Sequence, residues 1–149
     1  MANLDRANKP QLALVVSPND EDHWRLIHIL RPAGWSVDSA RSCEEAVRSL
    51  EIEPARVVIV DCQLPDGSWK ALLNRLTRMP YPPKLIVTSR LADERLWAEV
   101  LNLGGFDVLS QPFVSSEVLR CVNSAGRHWD EEWRKSNAGV EEVASYATA

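Results

Sequence analysis

Short apolar runs without internal charge alternate along this chain with longer segments in which apolar residues recur every three or four positions. Leu12–Val16 and Val57–Val60 are uninterrupted apolar runs, and Lys84–Thr88 is apolar between its two polar ends. Such runs predict strands covered on both faces, as in a parallel sheet sandwiched by helices. Trp35–Ala40 alternates apolar with polar and predicts a more exposed strand, and Phe106–Ser110 a short fifth one. Between them the period changes to helical. Leu26, Ile29 and Leu30 follow the acidic run Asp20-Glu21-Asp22, which suits a helix N-terminus, and Gly34 closes that segment. Ser42-Cys-Glu-Glu45 has the form of a capping box before Ala46, Val47 and Leu50, a helix that runs to Pro54. Ser68 caps a third helix with Trp69, Leu72, Leu73 and Leu76 inward, stopped by Pro80–Pro83. Asp93 to Leu103 places Leu96, Trp97, Val100 and Leu103 on one face and ends at Gly104-Gly105. Ser115 or Ser116 then caps a last helix through Val118, Leu119, Val122 and Ala125. Five β/α units predict an α/β, doubly wound, five-stranded parallel sheet in the flavodoxin-like order 2-1-3-4-5.

Size and charge narrow the function classes. A chain of 149 residues is long enough to bury roughly 70% of its unfolded surface as one domain. We expect residues 1–10 to be a flexible leader, 11–127 the domain, and 128–149 a helical extension and tail. The formal charge of −4, with no basic block, points away from nucleic acid and from anionic membranes. Three cysteines without a CxxC motif fit a reducing cytoplasm better than a disulfide framework or a zinc site. No apolar run approaches the ~20 residues of a membrane span.

The candidate chemistry sits where the central apolar run stops. Asp61 is the first polar residue after Val57–Val60, and Leu64-Pro65-Asp66-Gly67 supplies a turn beyond it. In open α/β sheets, ligands bind at the carboxyl ends of the strands. Thr88 ends the neighbouring run, and Arg90 flanks it. Cys62 reads as a small buried hydrophobe before a redox thiol. His23, His28 and His128 show no metal-ligand spacing, and no nucleophile–base arrangement is visible, so no enzymatic activity is expected. A flavodoxin-like electron carrier would share the topology, but the first loop, Ser17-Pro-Asn-Asp20, is acidic rather than phosphate-cradling.

Residues 11 to about 127 resemble the receiver domain of two-component response regulators. The resemblance rests on Val57-Val-Ile-Val-Asp61, Leu64-Pro65-Asp66-Gly67, Ile86-Val87-Thr88 and Pro112-Phe113. It implies that Asp61 is the phosphoacceptor, that Thr88 contacts the phosphoryl group, and that the Gln63 carbonyl falls where the family offers a backbone ligand to Mg²⁺. Four positions depart from the pattern. Ser17 and Pro18 stand where the family has an acidic, metal-holding pair, Gln111 stands for the lysine before Pro-Phe, and Val108 for the aromatic switch residue. Aspartyl phosphorylation depends on cationic stabilisation of a charge-dispersed transition state, and an isolated carboxylate holds Mg²⁺ weakly. The expectation is a stand-alone, atypical receiver with no cofactor beyond weakly held Mg²⁺, acting through protein–protein contact. A working phosphoacceptor, phosphorylated on Asp61 by a histidine kinase, is the alternative. Asp20, Glu21 or Asp22 would have to reach Asp61 to restore a metal site.

The last segment carries a separate signal. Trp129 and Trp133 lie four apart on an extension of the last helix, and either dock a partner or fold back on the chain's own surface. With Trp97, they form the candidate interaction surface, for a histidine kinase, an output protein or a second copy in a homodimer. Residues from Ser136 to Ala149, small and polar, read as a disordered tail.

Overall fold

A computed structural model of the chain describes residues 11–148, with side chains described through residue 137; the expected leader lies outside the described residues. Five strands form one parallel sheet: β1 (Gln11–Val16), β2 (Trp35–Ala40), β3 (Val57–Asp61), β4 (Lys84–Ser89) and β5 (Asp107–Ser110). Their spatial order is β2-β1-β3-β4-β5, as the alternation of patterns predicts. The side-chain period of two explains why β3 is apolar throughout. Val58 and Val60 face one core with Leu14, Val16 and Val87, while Val57 and Ile59 face a second core with Ala13, Val15 and Ile86. Neither face meets water, so no polar residue is tolerated until the strand's end.

The first core is closed by α2 (Cys43–Ile52), α3 (Trp69–Leu76) and α4 (Glu94–Asn102), the second by α1 (Asp20–Leu30) and α5 (Ser115–Thr148). After α1, a short 3₁₀ turn over Arg31–Ala33 ends at Gly34, whose φ of 94° suits a residue without Cβ. Ser42 Oγ accepts the Glu45 N–H at 3.2 Å. The return arm of the capping box lands one residue early, because Glu45 Oε2 accepts from the Arg41 N–H instead. Neither serine caps α5: the Val118 N–H donates to the Val114 carbonyl, which leaves Val114 at the cap position. On α4, Val100 is buried and Leu96 partly so, while Trp97 and Leu103 face solvent.

The backbone from Ser136 to Thr148 is helical and continuous with α5. A helix already nucleated upstream propagates at little cost, and the alanines and glutamates of this stretch favour it. Trp129 is 5% exposed and therefore belongs to the chain's own packing rather than to a free docking stripe. Its ring stacks on Trp133 at 6.4 Å between centroids, and the Arg56 guanidinium lies over it at 5.3 Å. Arg56 also pairs with Asp130, and Lys84 with Glu132, so the helix is fastened where β3 and β4 begin. Trp129→Ala is expected to cost about 3 kcal/mol in urea unfolding, and Trp133→Ala, half-buried, about 1 kcal/mol.

Candidate functional site

β3 delivers Asp61 to the sheet's C-terminal edge, where it pairs in register with Thr88 of β4. The pairing continues one residue further, as the Cys62 N–H donates to the Thr88 carbonyl at 3.1 Å. Beyond it, Gln63–Leu64 folds back antiparallel on Gly67–Ser68, and Ser68 Oγ then accepts the Lys70 N–H at the start of α3. Asp61 is thus held at the base of a short, doubly anchored hairpin. Thr88 is 3% exposed, and its Oγ1 accepts the Gln111 Nε2–H at 3.2 Å. The candidate phosphoryl contacts Thr88 and Gln111 therefore touch each other, through a neutral amide.

The loop after β1 brings a second carboxylate to this edge. Ser17 Oγ donates to Asp22 Oδ2 at 2.8 Å and accepts the Asn19 N–H, while the Ser17 carbonyl accepts from His23 Nε2 at 2.8 Å. Asp22 is 7% exposed, and its charge acts on Asp61. Burial, then the Asp22 charge, raises the Asp61 carboxyl above its ordinary range; hydrogen bonds from Cys62 and the Arg90 charge oppose the rise. The other two acidic residues of the run turn elsewhere. Asp20 pairs with Arg41, and Glu21 with Arg25 at 2.7 Å. Of the three, Asp22 alone charges the Asp61 environment. Its position four before Leu26, on the buried stripe of α1, is the signal in the sequence that marks it.

Beside Asp61 a cavity of about 300 Å³ is lined by Glu21, Asp22, Arg25, Arg90, Gln111 and Phe113. Asp61 and Thr88 are not part of its wall. Arg90 is exposed and is the basic residue that acts on both Asp61 and Glu21. Among the described residues, no group of three or more His, Cys, Asp and Glu side chains is placed to hold a metal ion. Val108 is half-buried and, with Trp97, lines a separate recess of about 260 Å³ between α4 and β5.

Residues 15–123 match the response regulator receiver domain family. This chain belongs to that family. The receiver is a signalling domain of two-component systems. The DNA-binding transcriptional regulator NtrC of Klebsiella pneumoniae is 28% identical to it over 130 residues, which is 87% of this chain and 28% of that protein. The receiver thus spans little more than a quarter of that relative's length. Among the solved structures that share its fold are two receivers. The signal receiver domain of an HD domain-containing protein from Pseudomonas fluorescens Pf-5 superposes with a TM-score of 0.77 at 24% identity, covering 85% of this chain and 94% of that one. The chemotaxis response regulator CheY4 of Vibrio cholerae gives 0.70 at 18% identity, covering 78% and 99%. No helix among the described residues is long and apolar enough to cross a membrane.

The raised Asp61 carboxyl has a definite sign in stability. A carboxyl that is harder to ionise folded than unfolded leaves the receiver most stable below the unfolded-state pKa. Stability is then lost as pH rises through the unfolded value toward the folded one. Asp61→Asn is therefore expected to raise the Tm at pH 7 above that of the parent chain. Thermal melts across pH check it, and the gain shrinks to nothing on the acid side.

Proposed function

We propose that this receiver transmits its signal mainly through protein–protein contact, with Mg²⁺-dependent phosphorylation of Asp61 weak or absent. The observation that carries the reading is the partner of Thr88: a neutral amide, Gln111, donates to its hydroxyl where the family resemblance implies a lysine. Mg²⁺ demands near-octahedral oxygen ligation and usually keeps one or two carboxylates plus phosphate oxygens. Asp61 and Asp22 do not fit that demand well, since one Asp22 oxygen is already taken by the Ser17 hydroxyl and Ser17 and Pro18 supply no carboxylate. Phosphoryl transfer relies almost wholly on positioning and cationic stabilisation, and beside Thr88 this site offers an amide rather than a cation. The reading needs no cofactor.

Partners of this reading are a histidine kinase, an output protein or a second copy of the chain, met in the cytoplasm. The contact face is α4, where Trp97 is 50% exposed and Leu101, four residues on along the same face, is exposed as well. Exposed aromatic and aliphatic side chains grouped on one helix face mark interaction surfaces. A second reading, a working phosphoacceptor, is favoured by Asp61 and Thr88 lying in register at adjacent strand ends, with Arg90 as the nearby cation.

Incubation with Mg²⁺ and acetyl phosphate or beryllofluoride decides between them. No saturable modification of Asp61 is expected by intact-mass spectrometry or ¹⁹F NMR; saturable labelling, lost in Asp61→Asn, would establish the second reading. For the contact face, Trp97→Ala is expected to weaken binding to a purified partner kinase at least about tenfold by titration calorimetry, with the melting curve nearly unchanged.

A further inference from the structure

The turn after Asp61 makes a contact that its sequence, read as a local turn, does not announce. Asp66, at the hairpin tip, reaches α2: its Oδ1 accepts the Cys43 N–H at 2.8 Å and its Oδ2 the Glu44 N–H at 3.0 Å. The first N–H groups of a helix have no partner within the helix. Here they are divided. Ser42, the ordinary cap, takes Glu45, and a carboxylate from another loop takes the two before it. The Glu44 side chain is turned away, toward Arg75 of α3 at 3.8 Å, so Asp66 meets backbone alone. Both oxygens are engaged and the acceptor carries charge, which makes the pair of bonds stronger than neutral ones and favoured by the helix dipole.

The hairpin has few other restraints. It consists of two paired residues on each side, with Leu64 buried and Gly67 at a φ of 153° that favours glycine. Its base is held by the Cys62 N–H on β4 and its exit by Ser68 on α3. Its tip is held by Asp66.

We propose that Asp66 is a positioning residue: by fastening the hairpin tip to the first turn of α2, it holds the segment from Cys62 to Leu64, and through it the Asp61 carboxylate, in a single setting. The proposal rests on reading Asp61 as the acceptor position of a receiver, but not on whether Asp61 is phosphorylated. A site short of metal ligands has its acceptor loop set by a protein carboxylate on a helix N-terminus. Signals that shift α2 would then reach Asp61 by way of this contact.

Amide hydrogen exchange by NMR on the full chain tests it, with Asp66→Ala, Asp66→Asn and Ser42→Ala compared. Asp66→Ala is expected to speed exchange at Cys43 and Glu44 and also, by about five- to tenfold, at Cys62, Gln63 and Leu64, the change that loss of a helix-capping side chain produces. In the same variant the Asp61 carboxyl carbon titrates closer to the ordinary carboxylate range, since a loosened loop admits water. Asp66→Asn, which keeps one acceptor oxygen, restores part of the protection. Ser42→Ala speeds Glu45 and leaves Cys62 to Leu64 as they are. If Asp66→Ala deprotects Cys43 and Glu44 while Cys62 to Leu64 and the Asp61 titration stay unchanged, Asp66 is a cap of α2 and nothing more, and the proposal fails. Should Asp66→Ala not fold, Asp66→Asn decides the matter through the same amides at smaller amplitude. Labelling of Asp61 by acetyl phosphate would overturn the reading of weak phosphorylation and leave these exchange rates untouched, so the two failures are separable.

Discussion

Everything in this receiver depends on the double burial of β3. Hydrogen-bonded to β1 on one side and β4 on the other, the strand sends Val57 and Ile59 into one core and Val58 and Val60 into the other. A charge anywhere in that run would lie in an apolar interior without a partner, at a cost of several kcal/mol. The first carboxylate can therefore appear only where the strand leaves the sheet. That constraint puts Asp61 at the edge, beside Thr88, and leaves the following hairpin to decide how the carboxylate is presented.

The electrostatics of that edge follow from what surrounds it. Asp22 comes in from the buried stripe of α1 and is kept in place by Ser17, while Gln111 brings an amide rather than an ammonium to Thr88. Burial first, and the Asp22 charge second, disfavour the ionised form, which is why Asp61 is harder to ionise than a free carboxylate. Arg90 moderates the effect from the rim without closing on the pair. Asp66 lies only five residues from Asp61 and has the opposite fate, held below the usual range by the Glu44 and Cys43 N–H groups. One hairpin thus carries a carboxylate that its surroundings resist charging and another that its surroundings keep charged.

The far end of the molecule is organised by the same sheet. Arg56 and Lys84 stand where β3 and β4 begin, and α5 brings Asp130 and Glu132 down to them, with Trp129 packed beneath Arg56. The tryptophans that look like a loose adhesive stripe are, for Trp129, part of how the last helix is seated. On α4, Trp97 stays exposed and lines the recess beside Val108.

The strands, their order and the place of Asp61 were legible in the amino-acid pattern, because burial on two faces writes a continuous apolar run and burial on one writes a helical period. The receiver resemblance, carried by Asp61, Leu64-Pro65-Asp66-Gly67, Thr88 and Pro112-Phe113, was legible for the same reason: a strand end, a turn and a register partner are local features. The action of the Asp22 charge on Asp61, the division of the α2 N–H groups between Ser42 and Asp66, and the burial of Trp129 were decided by tertiary structure. Each joins residues from different elements, Cys43 to Asp66 or Arg56 to Asp130, whose approach depends on how helices settle on the sheet. The chain pattern determines which residues leave water; only the packed fold determines which of them meet.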